Sequence, residues 1–262
     1  MGFSLTSKRS GYAACLLVVL IWVFWLLISR VGVTTSFTAY DLAAMRYGIS
    51  AIISLPFVIY FKPWRSLPVK RAIIMSIVLG PVYILTVFSG FTYAPAAHGG
   101  IFMNGLMPIF ALIFSWLFLS AAIELHKLLG AVLILMSAVI LGLSTTDTTL
   151  AQSWVGDLYF TIGGLFFAVF VTLSRMWHIQ TLDILFCGSL VNAVIYLPIW
   201  FLFLPHGFQT ADTSMLILQC AYQGLIPNLI GLVLIAHAAK TIGTDVTAAF
   251  MAAVPGFGAF LG

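Results

Sequence analysis

The stretch DLAAMRYGISAIISLPFVIYFKP, residues 41–63, occurs twice in this chain, because DILFCGSLVNAVIYLPIWFLFLP, residues 183–205, repeats its pattern. Seven of the 23 aligned positions are identical, which is more than composition alone predicts. The identical pairs are Asp41/Asp183, Ala51/Ala193, Ile53/Ile195, Leu55/Leu197, Pro56/Pro198, Phe61/Phe203 and Pro63/Pro205. Paired prolines in an apolar run are hard to obtain by chance, so the chain contains an internal repeat of about half its length.

Other parts of the chain align at nearly the same spacing. The further matched pairs are Gly11/Gly156, Leu20/Leu165, Ser29/Ser174, Arg30/Arg175, Gly80/Gly224, Leu85/Leu229 and Pro108/Pro255. The offset drifts only from 142 to 147 residues, as small changes in loop length would produce. We therefore predict a first repeat over residues 1–145 and a second over residues 146–262.

The composition excludes a water-soluble protein. Of the 262 residues, 62% are hydrophobic and only 7% are charged, and the mean hydropathy is +1.15. Soluble domains average about 25% charged residues, so this chain lacks the polar surface that water requires. The composition predicts an all-α polytopic membrane protein whose partner is the lipid bilayer. It excludes a cytosolic enzyme, a secreted disulfide scaffold and a nucleic-acid-binding module, because the basic residues are scattered among apolar runs.

Nine apolar runs separate short polar segments and define nine predicted spans. We place them at residues 11–29, 41–61, 72–92, 98–118, 126–143, 156–174, 183–204, 214–238 and 243–261. With a cytoplasmic N-terminus, nine basic residues fall on the inner side and only Arg30 on the outer side. The inner residues are Lys8, Arg9, Lys62, Arg65, Lys70, Arg71, Lys127, Arg175 and Lys240. This asymmetry predicts that the N-terminus is cytoplasmic.

The repeat unit holds five predicted spans, and an odd number places the second copy upside down relative to the first. Such inverted repeats create a pseudo-twofold axis in the membrane plane, with a site near the midplane where the two halves meet. Enzymes and receptors do not require this symmetry, whereas a carrier uses it to present one site to both sides. The inverted repeat therefore favours a carrier.

The sequence resembles the drug/metabolite transporter superfamily, and in particular its EamA-type members. The residues that carry the likeness are Trp22, Arg46-Tyr47, the run TYAPAA at residues 92–97 leading to Pro108, GAVLIL at residues 130–135, and Gly156-Asp157. The resemblance implies ten spans, so the second repeat, with four, is expected to be one span short. It also implies a multi-pass protein of the inner (plasma) membrane that exports small metabolites, such as amino acids or related amphipathic compounds, by alternating access without ATP.

Six residues are candidates for substrate binding. Trp22 and Phe167 occupy equivalent positions near the middle of the first and sixth spans, where aromatic walls suit an apolar solute. Tyr83, Asn104, Gln223 and Asn228 offer neutral hydrogen-bonding groups in spans that the resemblance places around a central cavity. The alternatives are lipid-facing packing for the two aromatic residues and hydrogen bonding between helices for the four polar ones.

A second group of residues is predicted to act in hinges or gates. Pro81, Pro108, Pro227 and Pro255 lie deep in their spans, where each removes a backbone hydrogen bond and produces either a hinge or a static kink. His98 and Asp245 align across the repeat at the starts of the fourth and ninth spans. Their titration could couple a gate to protons, while an interfacial position for His98 and helix capping by Asp245 are the simpler alternatives.

Arg46 is the one basic residue well inside a span. It could attract an anionic group of a substrate, or it could anchor the second span by reaching the interface or pairing with Asp41. The sequence contains no motif of a hydrolase, an ATPase or a metalloenzyme, so we predict no catalytic residues, no metal and no cofactor.

Alternative functions and assemblies stay open on the sequence alone. One alternative is a membrane enzyme acting on a lipid-linked substrate, and another is a truncated membrane protein that transports nothing. The expected partners are a small-molecule substrate and the bilayer, without nucleic acid, and a homodimer is one assembly open to the chain.

Overall fold

The computed structural model describes residues 7–120, 152–208, 211–251 and 253–261, together with residues 125, 128–130, 132, 133, 135, 136 and 140. Within these residues every regular element is helical, and seven helices are long and apolar enough to span a bilayer. They are α1 Lys8–Thr35, α2 Ala39–Phe61, α3 Val69–Tyr93, α4 Ala96–Phe118, α5 Ser153–Met176, α6 Thr181–Phe203 and α7 Thr213–Ile242. Two short helices follow, α8 Thr244–Met251 and α9 Val254–Leu261. The all-helical membrane class predicted from composition is confirmed.

Seven of the nine predicted spans correspond to a long helix. The first four are α1 to α4, and the sixth, seventh and eighth are α5 to α7. The predicted fifth span, residues 126–143, falls largely outside the described residues. The predicted ninth span differs from the structure, because it consists of two short helices instead of one. The break lies just before Pro255, which cannot donate a backbone hydrogen bond to the carbonyl of Met251.

The repeated segment that defines the fold has well-formed helix ends. Thr38 and Asp41 form a reciprocal capping box at the start of α2, with Asp41 N donating to Thr38 Oγ over 3.1 Å and Thr38 N donating to Asp41 Oδ2 over 2.9 Å. Lys62 ends the helix in a left-handed conformation, with φ of 53°, and Pro63 prevents its continuation.

Four of the long helices are interrupted within their length. Gly80 and Pro81 divide α3 into Val69–Leu79 and Pro81–Tyr93. Wide π-helical turns interrupt α4 at Gly99–Gly105, α6 at Phe186–Val191 and α7 at Ala221–Ile230. Such turns are rare in helices and are frequent at functional sites. The interruptions of α3 and α7 lie near the middle of the helix, whereas that of α4 begins three residues after the helix starts.

Each end of the bundle contains one very close helix pair. α1 runs antiparallel to α7, and a Cβ on Gly11 would lie 2.3 Å from the Thr241 hydroxyl oxygen. α3 runs antiparallel to α5, and a Cβ on Gly156 would lie 2.4 Å from Ala94 Cβ. Only glycine permits these approaches, as is common where membrane helices pack closely.

The main core lies where α1, α2, α3 and α5 meet. Its largest fully buried side chains include Tyr47, Phe88, Phe91 and Phe160. The outer face of α6 is the opposite case, because Val194, Phe201, Leu202 and Phe203 are all exposed there. A continuous exposed apolar face on a span-length helix is a lipid-facing surface. The chain is therefore a multi-pass membrane protein.

Candidate functional site

A cation lies in the interior of the bundle. Arg46 on α2 is half-buried, and its guanidinium carbon lies 5.7 Å from the centre of the Trp25 ring. Arg46 also interacts electrostatically with the phenols of Tyr47 and Tyr83. Among the described residues no carboxylate lies within ion-pair distance of Arg46. A half-buried charge inside a membrane bundle that has no carboxylate partner among the described residues is costly, so its position suggests a functional role.

Asp41, the nearest acid along α2, is occupied elsewhere. Its carboxylate accepts hydrogen bonds from Thr38 N at 2.9 Å, Thr38 Oγ at 2.9 Å, Trp200 Nε1 at 3.0 Å and Gly207 N at 2.8 Å. His206 Nδ1 lies a further 3.7 Å from it. Asp41 therefore joins α2 to the end of α6 and the loop after it. The Asp41–Arg46 pair considered from the sequence does not form.

Two phenols beside Arg46 keep unused hydrogen-bonding capacity. The Tyr47 hydroxyl is fully buried and has no hydrogen-bond partner among the described residues. The Tyr83 hydroxyl donates only to Met103 Sδ at 3.8 Å, and a thioether is a weak acceptor. The guanidinium and each phenol can donate to a carboxylate or to another anionic oxygen.

Three of the predicted substrate-binding residues lie on α3, α4 and α5. The rings of Tyr83 and Phe167 pack together with their centres 5.4 Å apart. Asn104 lies in the wide turn of α4, directly after Met103, and is half-buried. Its side chain makes no hydrogen bond to any described residue, so it remains a candidate donor and acceptor.

Gln223 serves to hold two helices together. It is fully buried, accepts a hydrogen bond from Trp25 Nε1 at 2.9 Å, and donates to Ser29 Oγ at 3.0 Å and to Gln219 Oε1 at 2.9 Å. Gln219 in turn donates to the Ile28 carbonyl at 2.7 Å. These bonds join α7 to α1, and the geometry matches the alternative of hydrogen bonding between helices.

Asn228 completes the broken backbone of α7. Pro227 has no N–H to offer the carbonyl of Gln223, and Asn228 Nδ2 donates to that carbonyl at 2.9 Å instead. The same nitrogen lies 3.1 Å from Ser50 Oγ on α2, and Ser50 donates to the Gly224 carbonyl at 2.6 Å. The side chain of Asn228 thus satisfies irregular backbone at membrane depth.

Trp22 lies apart from the group around Arg46. It packs with Val19, Val23 and Val254, and its indole nitrogen lies 3.6 Å from the Cβ position of Gly231. Trp25, one helical turn further along α1, occupies the centre instead, where it meets Arg46 and Gln223. Trp25 is not among the residues predicted from the sequence. The signal available was a second tryptophan three residues after the first, on nearly the same helix face.

His98 is buried, and an acid that was not selected as a site residue pairs with it. His98 Nδ1 lies 2.6 Å from Asp157 Oδ1, and both side chains are almost inaccessible. The pair joins the start of α4 to the start of α5, and the gating role predicted for His98 stays a prediction. Asp245 is the second residue of α8, and its side chain lies outside the description.

The four prolines predicted as hinges all adjoin helix interruptions. Pro81 follows the break in α3, Pro227 lies in the wide turn of α7, and Pro108 follows the wide turn of α4. Pro255 is the second residue of α9. These positions agree with kinks, and motion at them stays a prediction. Among the described residues no group of three or more His, Cys, Asp or Glu could hold a metal ion.

Comparison with known proteins gives one match. The model of the EamA-like transporter family matches residues 9–143, just over half of the chain. This match confirms the resemblance that the sequence motifs carry. No curated protein and no solved structure matches the chain.

Because Gln223 joins α7 to α1, we expect its replacement to lower the stability of the protein rather than its affinity for a ligand. Replacing Gln223 by Leu removes two hydrogen bonds to α1 and one within α7. At roughly 0.6 kcal/mol for each contact between membrane helices, the two bonds to α1 contribute about 1 kcal/mol. We expect a lower Tm for purified Gln223→Leu in detergent. Thr34→Val, which removes only bonds to carbonyls of its own helix, is the control. Equal Tm values for the two variants would show that Gln223 does not hold α7 to α1.

Proposed function

Because the chain belongs to the EamA-like transporter family, within the drug/metabolite transporter superfamily, we propose that it is a secondary carrier in the inner membrane that exports small amphipathic metabolites. Amino acids and related compounds are the substrates that the proposal favours. The mechanism is alternating access, in which two inverted halves rock about one central site. The observation that carries the proposal is a set of contacts between the two repeats. Each contact from the first repeat to the second is matched by one between the equivalent positions in the opposite repeats.

The first recurring contact lies at the two ends of the bundle. Gly11 at the start of α1 meets Thr241 at the end of α7, and Gly156 at the start of α5 meets Ala94 at the end of α3. Gly11 and Gly156 are equivalent in the repeat, and Ala94 and Thr241 are separated by nearly the same offset. The α1–α7 pair thus corresponds to the α5–α3 pair, as an inverted repeat requires.

The second recurring contact lies deeper in the bundle. Ser50 on α2 donates to the carbonyl of Gly224 on α7 at 2.6 Å. Asn192 on α6, the counterpart of Ser50, lies so close to Gly80 on α3 that a Cβ there would meet its amide at 2.6 Å. Gly80 and Gly224 are themselves matched across the repeat. Two independent contacts related by the same exchange support a pseudo-twofold axis between the halves.

The substrate site of the proposal is the group formed by Arg46, Tyr47 and Tyr83 with Trp25 beside it. Arg46 has no carboxylate partner among the described residues, so the carboxylate of a substrate can supply the missing negative charge. The aromatic rings of Trp25 and Phe167 suit the apolar part of an amphipathic molecule. Asn104 adds a neutral polar group from α4.

The interruptions in α3, α4, α6 and α7 suit a bundle that changes shape. Each lies within a span, so each half of the bundle can bend there. The proposal uses Pro81, Pro108, Pro227 and Pro255 as the points of bending. The buried His98–Asp157 pair then serves as an outer contact that holds α4 against α5.

The first test of the proposal concerns Arg46. Arg46→Gln removes the charge that binds the substrate but keeps a polar side chain, so we expect transport of amino acids into vesicles to fall at least about tenfold, the effect of roughly 1.4 kcal/mol. Membrane abundance and Tm should change little. Arg175→Gln, the same substitution at an exposed position, is the control and should transport normally. Unchanged transport by Arg46→Gln would remove Arg46 from the site.

The second test concerns orientation, which the excess of basic residues on one side supports. In a protein without its native cysteines, a single cysteine is introduced at Lys70, at the inner start of α3, or at Thr213, at the outer start of α7. We expect a membrane-impermeant maleimide to label Thr213→Cys on intact cells and Lys70→Cys only after permeabilisation. The opposite pattern would reverse the orientation and with it the assignment of the two ends.

A further inference from the structure

A cavity of about 380 Å³ lies where α2 and α5 end and α3 and α6 begin, among residues other than those around Arg46. Small-molecule sites typically measure about 300–1,000 Å³. Its lining includes an arginine, an aspartate and two aromatic side chains, Arg71, Asp183, Phe61 and Trp177. In the proposed orientation this cavity opens on the cytoplasmic side.

The positive charge of the cavity has no acidic partner among the described residues. The Arg71 guanidinium carbon lies 5.5 Å from the centre of the Trp177 ring. Stacking on an indole holds a guanidinium in place but leaves its N–H groups able to donate. Arg71 and Asp183 line the same cavity, yet they are too far apart to form an ion pair.

The negative charge of the cavity also keeps free capacity. Asp183 is 8% exposed, and its carboxylate accepts one hydrogen bond from a described residue, from Gln180 N at 2.9 Å. Its counterpart in the repeat, Asp41, accepts four hydrogen bonds in a fully closed environment. A carboxylate can accept about four hydrogen bonds. The remaining capacity of Asp183 suits an ammonium group.

The two repeats explain why a cavity exists at this end. Around Asp41, the loop after α6 closes the space with Gly207, whose N–H bonds to the carboxylate, and with Phe208, whose ring packs on Phe37 at 5.4 Å. The corresponding positions in the loop after α2 are Arg65 and Ser66. Ser66 lines the cavity and is much smaller than Phe208. The residues that close the space around Asp41 at the outer end therefore have no equivalent around Asp183 at the inner end.

We propose that this cavity is a cytoplasmic binding site for a small zwitterion, such as an α-amino acid. The carboxylate of the ligand binds Arg71, its ammonium group binds Asp183, and its side chain lies against Phe61 and Trp177. Two opposite charges that share a cavity without pairing are bridged by a molecule that carries both charges. The inference deepens the proposed function. It rests on that function in one respect, namely that the bound ligand is the substrate captured before transport.

The test measures binding to the full chain in nanodiscs, on an Arg46→Gln background that removes the central site. The probes are leucine, isocaproate, which is leucine without its amine, and isoamylamine, which is leucine without its carboxylate. The variants are Arg71→Gln and Asp183→Asn, and in the second variant the new amide oxygen would still accept from Gln180 N. We expect leucine to bind most tightly of the three probes. Each variant should lower the affinity for leucine at least about tenfold. Arg71→Gln should lower the affinity for isocaproate but not for isoamylamine. Asp183→Asn should lower the affinity for isoamylamine but not for isocaproate.

Several results would overturn the inference. Absence of leucine binding would do so, as would unchanged leucine affinity in both variants. Loss of affinity in Arg71→Gln alone would mean that the cavity binds a simple anion, such as a phosphate group. Transport measurements on the protein with Arg46 intact separate the two proposals. Transport with normal leucine affinity in both variants rejects only the cytoplasmic site, and variant-sensitive binding without any transport rejects only the carrier.

Discussion

A membrane offers no water to an unpaired backbone group, and this constraint organises the bundle. Every break in a spanning helix exposes carbonyls that must find donors within the protein. In α7 the loss of the Pro227 N–H is compensated by Asn228, and Ser50 from α2 binds the next carbonyl, that of Gly224. In α7 the irregular backbone therefore lies where a neighbouring helix supplies a polar group, inside the bundle rather than against lipid.

The same constraint separates polar residues that maintain the fold from those that are free to bind a ligand. The side chains of Gln223 and Asn228 form hydrogen bonds with α1, with α2 and within their own helix. Little hydrogen-bonding capacity therefore remains for a substrate. Arg46 and Tyr47 have no such commitments among the described residues. Trp25 lies between the two sets, because its ring faces the Arg46 guanidinium and its N–H donates to Gln223.

The sequence predicts the class of fold well because apolar runs and charge scarcity report directly on the bilayer. It also identifies the breaks beside Pro81, Pro227 and Pro255, since proline acts locally, but not the wide turn of α6, which contains no proline. It does not predict which polar side chains face each other, because that depends on the rotation of each helix about its axis. Trp22 and Trp25 differ by one turn, yet only Trp25 reaches Arg46. The sequence also does not reveal the partner of His98, because Asp157 lies 59 residues away on another helix.

The central claim is that two inverted halves exchange roles at one site, and distances at equivalent positions test it most directly. Spin labels at Trp154 and Thr213 report on the outer end, and labels at Arg9 and Lys70 report on the equivalent pair at the inner end. In liposomes, the account predicts that a gradient of a transported amino acid lengthens one distance while it shortens the other. Two distances that stay fixed, or that change in the same direction, would contradict alternating access by this chain.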